Sequence, residues 1–207
     1  MEIEKITVGV LATNCYIASS KGKCVAIDPA TNDKKIDAAI KQMGSTLEYV
    51  LLTHIHVDHV MGARRLKDEY GAKIAMSSID APTVPDLVKA KPFLFGQEAK
   101  RSPDADIALE DRDLIKFGDE TLQTIFTPGH TRGSVCFYAP GILFSGDTLF
   151  RGSIGRTDLG DAKPGQIEES LKLLTGMLVN DCVIYPGHGE LTTMGYEKKF
   201  NPYLKER

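Results

Sequence analysis

The 207-residue sequence is poor in several signals, and each shortage removes a class of protein. No run of Lys or Arg exceeds two residues, the formal charge is −3 and the pI is near 6.0. Neutralising several phosphates needs clustered cations, so no nucleic-acid partner is expected. The pairs Lys34-Lys35 and Arg64-Arg65 read as solvated helix faces. No apolar run approaches the roughly 20 residues of a membrane span. Glu2 and Glu4 stand where a secretory signal would carry positive charge. The expectation is a cytoplasmic protein with no membrane association. Cys15, Cys24, Cys136 and Cys182 are irregularly spaced and lack a C-x-x-C pair, and three of them lie in apolar strand-like segments. They read as buried, reduced thiols. Repeats are absent, and the glycines around Gly152 and Gly155 make no dinucleotide fingerprint. Most informative is the scarcity of histidine: there are five, and none lies outside three short motifs.

The remaining composition, 42% hydrophobic and 26% charged, suits one domain over residues 1–207 with a substantial core. Short β-branched segments at Ile3–Val10, Asn14–Ala18 and Cys24–Asp28 predict an antiparallel meander. Asn32 or Asp33 then caps a helix with apolar positions Ile36, Ala39, Ile40 and Met43, and Gly44 stops it. A buried strand over Glu48–Thr53 precedes a helix from about Asp58 to Gly71, followed by a strand over Lys73–Ser77. From about Ser78 to Asp106 the prolines predict short helical pieces and a long loop forming a pocket wall. Further strands are expected at Asp113–Phe117, Leu122–Thr127, Ser134–Ala139 and Ile142–Ser145. Pro164 opens a helix with Ile167, Leu171, Leu174 and Leu178 on its apolar face. A last strand covers Cys182–Tyr185.

The histidine motifs are Thr53-His54-Ile55-His56-Val57-Asp58-His59, Pro128-Gly129-His130 and Pro186-Gly187-His188. Neutral imidazole offers a lone pair at physiological pH, so histidines spent only in such motifs point to metal. Each motif follows an apolar strand, as does Asp147 after Ile142–Ser145, so the candidate ligands converge at one edge of a layered β structure. Seven groups, His54, His56, Asp58, His59, His130, Asp147 and His188, exceed what one closed tetrahedral site takes. The natural partition gives His54, His56 and His130 to one ion, Asp58, His59 and His188 to a second, and Asp147 to both as a bridge. Two divalent ions sharing a water lower its pKa towards ~7. With two carboxylates and one hydroxide the centre keeps a charge near +1, suited to a developing oxyanion and an anionic leaving group. Asp58 and Asp147 are the catalytic candidates. Zinc ranks first, with iron or manganese also compatible.

The order H-x-H-x-D-H, H, D, H from Thr53 to His188 resembles the metallo-β-lactamase superfamily. The resemblance implies an α/β fold, a four-layer αββα sandwich, with two metals at one edge. Thr127–Ser134, Ser145–Phe150 and Gly155–Asp158 look like the glyoxalase II group, the hydroxyacylglutathione hydrolases. Thr192–Glu197 and Asn201–Leu204 resemble its short bacterial members. The implied activity is hydrolysis of a thioester such as S-lactoylglutathione by a metal-bridged hydroxide, acting on a small anionic substrate. Longer glyoxalase II enzymes carry a C-terminal helical domain that binds glutathione, and the 19 residues after His188 are too few for one. Arg156 occupies the region where the resembled family places a basic substrate-side residue, and with Arg151 second it is nominated to contact a substrate carboxylate; the other reading pairs each Arg with a carboxylate such as Asp158 or Asp161. Asp28 is expected to support a ligand histidine, or else to form a turn before Pro29. Thr131 and Ser134 are expected beside the ligands or as caps. Three alternatives stay open: a mono-iron persulfide dioxygenase, which shares most of these motifs, a lactonase, and a non-catalytic metal- or partner-binding module.

Overall fold

Alternate residues of the early strands are buried on opposite sides, which requires cover on both faces. The structure, a computed structural model, describes residues 1–83, 103–160 and 162–205. Its first sheet contains β1 (Glu2–Val8), β2 (Thr13–Ser20), β3 (Lys23–Ile27), β4 (Thr46–Leu51), β5 (Lys73–Ser77) and β6 (Ile107–Leu109), adjacent in that order. The pairs β1–β2 and β2–β3 are antiparallel, as the meander predicts. From β3 to β6 the pairing is parallel. Helix α1 (Lys34–Gln42) crosses from β3 to β4, and α2 (Val57–Val60) with α3 (Ala63–Tyr70) crosses from β4 to β5. Parallel neighbours need such crossovers, and the crossovers cover one face of the sheet.

The second sheet has the order β14-β13-β10-β9-β8-β7, built from β7 (Leu114–Phe117), β8 (Glu120–Phe126), β9 (Val135–Ala139), β10 (Ile142–Gly146), β13 (Val183–Pro186) and β14 (Thr192–Thr193). Only β10–β13 is parallel, and α4 (Pro164–Met177) makes that crossover. A two-stranded ribbon, β11 (Leu149–Phe150) with β12 (Ser153–Ile154), follows β10. Helix α5 (Met194–Phe200) closes the described chain.

Three separate cores prove four layers. Cys15, Ile17, Cys24 and Ala26 pack outward with Ile36, Ile40, Val60 and Leu66 of the first helices. Tyr16, Ala18, Val25, Ile27, Leu51 and Ala75 face inward onto Phe117, Leu122, Val135, Phe137 and Phe144 of the second sheet. Cys136, Leu143, Cys182 and Ile184 face outward onto Ile167, Leu171, Leu174 and Met194. Register enforces the inner face: Tyr16 pairs with Ile27, Ile27 with Leu51, and Leu51 with Ala75. Across the sandwich Tyr16 meets Phe144 at 5.5 Å and Tyr185 at 5.4 Å between ring centroids. Truncating a fully buried ring such as Phe144 costs about 3–5 kcal/mol. The fold is thus the expected αββα sandwich. All four cysteines are buried and free.

The structure also corrects several boundaries. The helix expected from Asp58 to Gly71 is two, broken at Met61-Gly62, because the Gly62 N–H turns to Pro29 O at 2.6 Å. A side chain at Gly62 would collide with the carbonyls of Pro29 and Thr31. β1 stops at Val8 because Gly9 turns the chain at φ +74°. The strands β6, β11, β12 and β14 and the helix α5 escape sequence reading; four of these are two or three residues long, too short for a period to register. Most of the loop expected over Ser78–Asp106, and Asp161, lie outside the described residues. Among the described residues no helix is long and apolar enough to cross a membrane.

Candidate metal centre

The ends of four strands, β4 of the first sheet and β8, β10 and β13 of the second, deliver all seven candidate ligands to one place. Beyond β4 come Thr53 and His54; His56 starts α2, whose first turn holds Asp58 and His59. His130 lies in the turn from β8 to β9, Asp147 follows β10, and His188 follows β13. The side-chain atoms of His54, His56 and His130 lie within 4.8 Å of one another, as do those of Asp58, His59 and His188. These are the two triads the spacing predicts. Asp147 stands between them: Oδ1 is 3.4 Å from His59 Nε2, and Oδ2 is 3.4 Å from His130 Nε2 and 3.6 Å from His188 Nε2. A side chain at Gly187 would strike Asp147 Oδ1 and the His59 ring, so the close approach needs glycine there.

Four of the five rings are turned by what holds their outer nitrogen. His59 Nδ1 is 2.9 Å from Asp28 Oδ2, His130 Nδ1 is 2.8 Å from Arg156 O, and His188 Nδ1 is 3.2 Å from Leu11 O. An acceptor at Nδ1 puts the proton there and leaves the Nε2 lone pair facing inward. His54 reaches the same state through a relay. The Thr53 hydroxyl donates to Asp28 Oδ2 at 2.6 Å, so the His54 Nδ1–H, 3.0 Å away, donates to Thr53 Oγ1. Asp28 also accepts from Thr53 N at 2.8 Å. It sits within 4.8 Å of His54 and His59 as well, but its oxygens are already spent on hydrogen bonds, which makes it a support rather than a ligand.

The inward nitrogens crowd. His56 Nδ1 and His130 Nε2 are 2.8 Å apart, and His59 Nε2 and His188 Nε2 are 3.3 Å apart. Burial, followed by the neighbouring imidazoles, drives the His54 pKa well below normal and keeps the ring neutral. Burial opposes charge on His59 too, but Asp147, Asp28 and Asp58 override it and push its pKa up to about 9, so a cation binding at Nε2 would have to release the proton held there at neutral pH. His188 is raised against burial by Asp58 and Asp147, and Asp58 is held well below the carboxylate range against burial by His188 and His59. Among the described residues, two buried acceptors at the site, His54 Nε2 and Asp147 Oδ1, have no hydrogen-bond partner. An unsatisfied buried polar atom costs about 1–3 kcal/mol. One on a triad and one on the residue between triads fit cations, and a set of imidazoles and carboxylates suits zinc, iron or manganese.

The outlying candidates fall elsewhere. Thr131 and Ser134 hydrogen-bond each other, hydroxyl to hydroxyl at 2.8 Å and Thr131 N to Ser134 Oγ at 3.0 Å, and so close the turn that carries His130. Arg156 is exposed and forks onto Asp158 at 2.9 and 3.0 Å. Arg151 pairs with Glu190 at 3.1 Å and stacks on Tyr196 at 4.8 Å. Sequence reading missed Thr13 and Asn14. Thr13 Oγ1 donates to Asp58 Oδ2 at 3.2 Å, and Asn14 Nδ2 donates to Pro186 O and Gly189 O, both at 3.0 Å, on either side of His188. Neither residue has local spacing to the motifs that could have revealed it.

The sequence over residues 8–188 matches the metallo-beta-lactamase superfamily. The chain belongs to that superfamily. Within it the chain is a glyoxalase II-like member. It is 32% identical to the probable metallo-hydrolase YqgX of Bacillus subtilis, over 99% of this chain and 98% of that one. It is 32% identical to the hydroxyacylglutathione hydrolase GloC of Haemophilus influenzae, over the full length of both. Among solved structures, TTHA1623 in a di-iron-bound form superposes with a TM-score of 0.83 at 33% identity, covering 97% of this chain and all of that one. The superfamily typically binds two divalent metals, and the two His/Asp triads here are consistent with that habit.

Proposed function

We propose that this metallo-hydrolase cleaves a thioester of the S-lactoylglutathione type. The observation that carries the reading is Asp147, whose two oxygens lie between two three-atom clusters of ligand type. His54, His56 and His130 would hold one divalent cation, Asp58, His59 and His188 the other, and Asp147 both; zinc is the first choice, with iron or manganese compatible. Bound there, the pair supplies Lewis acidity and an acidified water at neutral pH.

The chain's own groups prepare this chemistry. Asp28 fixes the His59 proton on Nδ1 directly and the His54 proton through Thr53, so both rings present a lone pair. Asp58 and Asp147 contribute negative charge without cancelling that of two divalent ions, which leaves the centre attractive to an oxyanion and a thiolate. Arg156 joins the site through its carbonyl on His130 while its guanidinium stays in solvent beside Asp158. In this reading a substrate carboxylate displaces Asp158 from it. Arg151, tied to Glu190 and Tyr196, is the weaker contact. The similarity to GloC supports the thioester class.

The test is to measure the metal content of the purified protein, then on one sample compare S-lactoylglutathione hydrolysis with oxygen uptake driven by glutathione persulfide. Thioester cleavage without oxygen uptake is expected. Oxygen uptake without thioester cleavage would replace the hydrolase by the mono-iron dioxygenase.

A further inference from the structure

The C-terminal motif around Glu197 and Asn201 has no place among the candidate ligands, yet both residues are fully buried. Glu197 Oε1 accepts from the Thr192 hydroxyl at 2.6 Å, and Oε2 accepts from Gly152 N at 2.9 Å and Asn201 Nδ2 at 2.7 Å. Asn201 Nδ2 also donates to Ser153 O at 3.1 Å. Among the described residues these hydrogen-bond partners are all neutral. A buried carboxylate with no cation beside it is a costly way to pack a helix, and on the same helix Met194 does that work with an apolar side chain.

What Glu197 holds explains the choice. Arg151 and Gly152 form the turn of the β11–β12 ribbon and Ser153 opens β12, and the ribbon lies in the interval between Asp147 and Arg156. At one end the Phe150 ring lies 6.0 Å from the His188 ring. At the other, Arg156 O receives the His130 Nδ1 proton at 2.8 Å, and Gly155 is pressed so tightly against Asp147 O and His130 Cβ that a side chain would not fit. The ribbon thus touches both triads and the residue between them. Helix α5 grips its turn at consecutive residues: Tyr196 under Arg151, Glu197 on Gly152 N, and Asn201 on Ser153 O. Glu197 and Asn201 are four apart, which stacks them on one helix face.

We infer that Glu197, with Asn201, is a positioning residue of the metal centre, locking the ribbon turn so that Arg156 O and Phe150 keep His130 and His188 in place. The inference rests on the metal-binding part of the proposed function. It is tested on the full-length protein with Glu197→Ala, Glu197→Gln and Asn201→Ala, reading Zn²⁺ affinity by chelator competition and amide hydrogen exchange over residues 149–156. Gln can replace the carboxylate here, its oxygen accepting from Gly152 and Asn201 and its amide donating to Thr192 Oγ1.

Glu197→Ala is expected to weaken Zn²⁺ binding about tenfold, at the low end of the range for residues behind a ligand, and to speed exchange at Gly152. Glu197→Gln should restore both to within about twofold of the wild type. Should Glu197→Ala fail to fold, Asn201→Ala, which frees Ser153 O but leaves Glu197 on Gly152, is expected to weaken Zn²⁺ binding by about threefold. Variants that melt lower but keep wild-type Zn²⁺ affinity and ribbon exchange would reduce Glu197 to a fold contact and overturn the inference. A wild-type chain that binds no Zn²⁺, Fe²⁺ or Mn²⁺ would instead sink the metal reading, and the exchange data would still report whether the ribbon is locked.

Discussion

The two triads use the same kind of ligand but are held in different ways. His54, His56 and His130 form an all-imidazole, nearly enclosed group, with His54 and His130 only 1% and 4% exposed. His54 is oriented by its own chain neighbour Thr53, and His130 by a carbonyl 26 residues away. The Asp58, His59 and His188 group carries a carboxylate, and the side chains of Asp58 and His188 are 24% and 28% exposed. Its supports come from the end of β3 and from the first hairpin: Asp28 on His59, Thr13 on Asp58, Leu11 O on His188, and Asn14 on the His188 loop over a separation of 172 residues. Both triads thus need the two sheets to meet, since His130 and His188 come from the second, but only the Asp58, His59 and His188 triad also leans on the first hairpin. Exposure and long-range support make the second triad the softer half.

The contrast can be broken outright by removing the group common to both. Asp147→Asn removes the charge between the triads and turns one of its two acceptor oxygens into a donor amide, and hydrolysis should fall by more than the roughly 10–100-fold typical of residues behind a ligand, with a folded protein by circular dichroism. His56→Ala should also abolish turnover in a folded protein; retained activity would favour a non-catalytic metal-binding module. Asp28→Asn comes next. It leaves His59 Nδ1 and the Thr53 hydroxyl competing for a weaker acceptor, and metal affinity should drop about 10–100-fold, measured by chelator competition. Because Asp28 touches both triads, both ions should be affected.

Sharper separation is expected from stepwise dialysis against a chelator. The ion of the more exposed Asp58, His59 and His188 triad should leave first, detected as a one-equivalent intermediate by metal analysis; simultaneous loss of both would erase the distinction. Thr13→Val is the smallest change. It deletes one hydrogen bond to Asp58, worth about 1 kcal/mol, and should weaken the softer site alone by several-fold.

Local pattern made much of the fold legible. The β2 alternation of Cys15, Tyr16, Ile17 and Ala18, the Asp33 cap of α1 and Pro164 at the head of α4 are all readable within a few residues. The two-helix break at Gly62 was not, because the bond that breaks the helix goes to Pro29, outside any helical window. The ribbon strands were hidden for another reason: Leu149–Phe150 and Ser153–Ile154 are held by pairing with each other and by α5, not by propensity. At the site the ligands could be read because H-x-H-x-D-H is contiguous. Thr13 and Asn14 could not, since nothing near them in the chain marks a hydrogen bond to Asp58 or to the His188 loop.

What the sequence alone determined was the set of candidate donors: five imidazoles and two carboxylates, each placed after an apolar strand. Those features depend on residue type and on spacing along one strand-to-turn unit. Which nitrogen of each ring faces inward, and that Asp28 governs two rings at once, were decided only by the tertiary structure. A histidine's usable lone pair is set by whatever accepts the proton on its other nitrogen, and here those acceptors are Asp28, Thr53, Arg156 O and Leu11 O. Three of the four reach their ring from another segment of the chain, so only the folded arrangement of those segments can choose them.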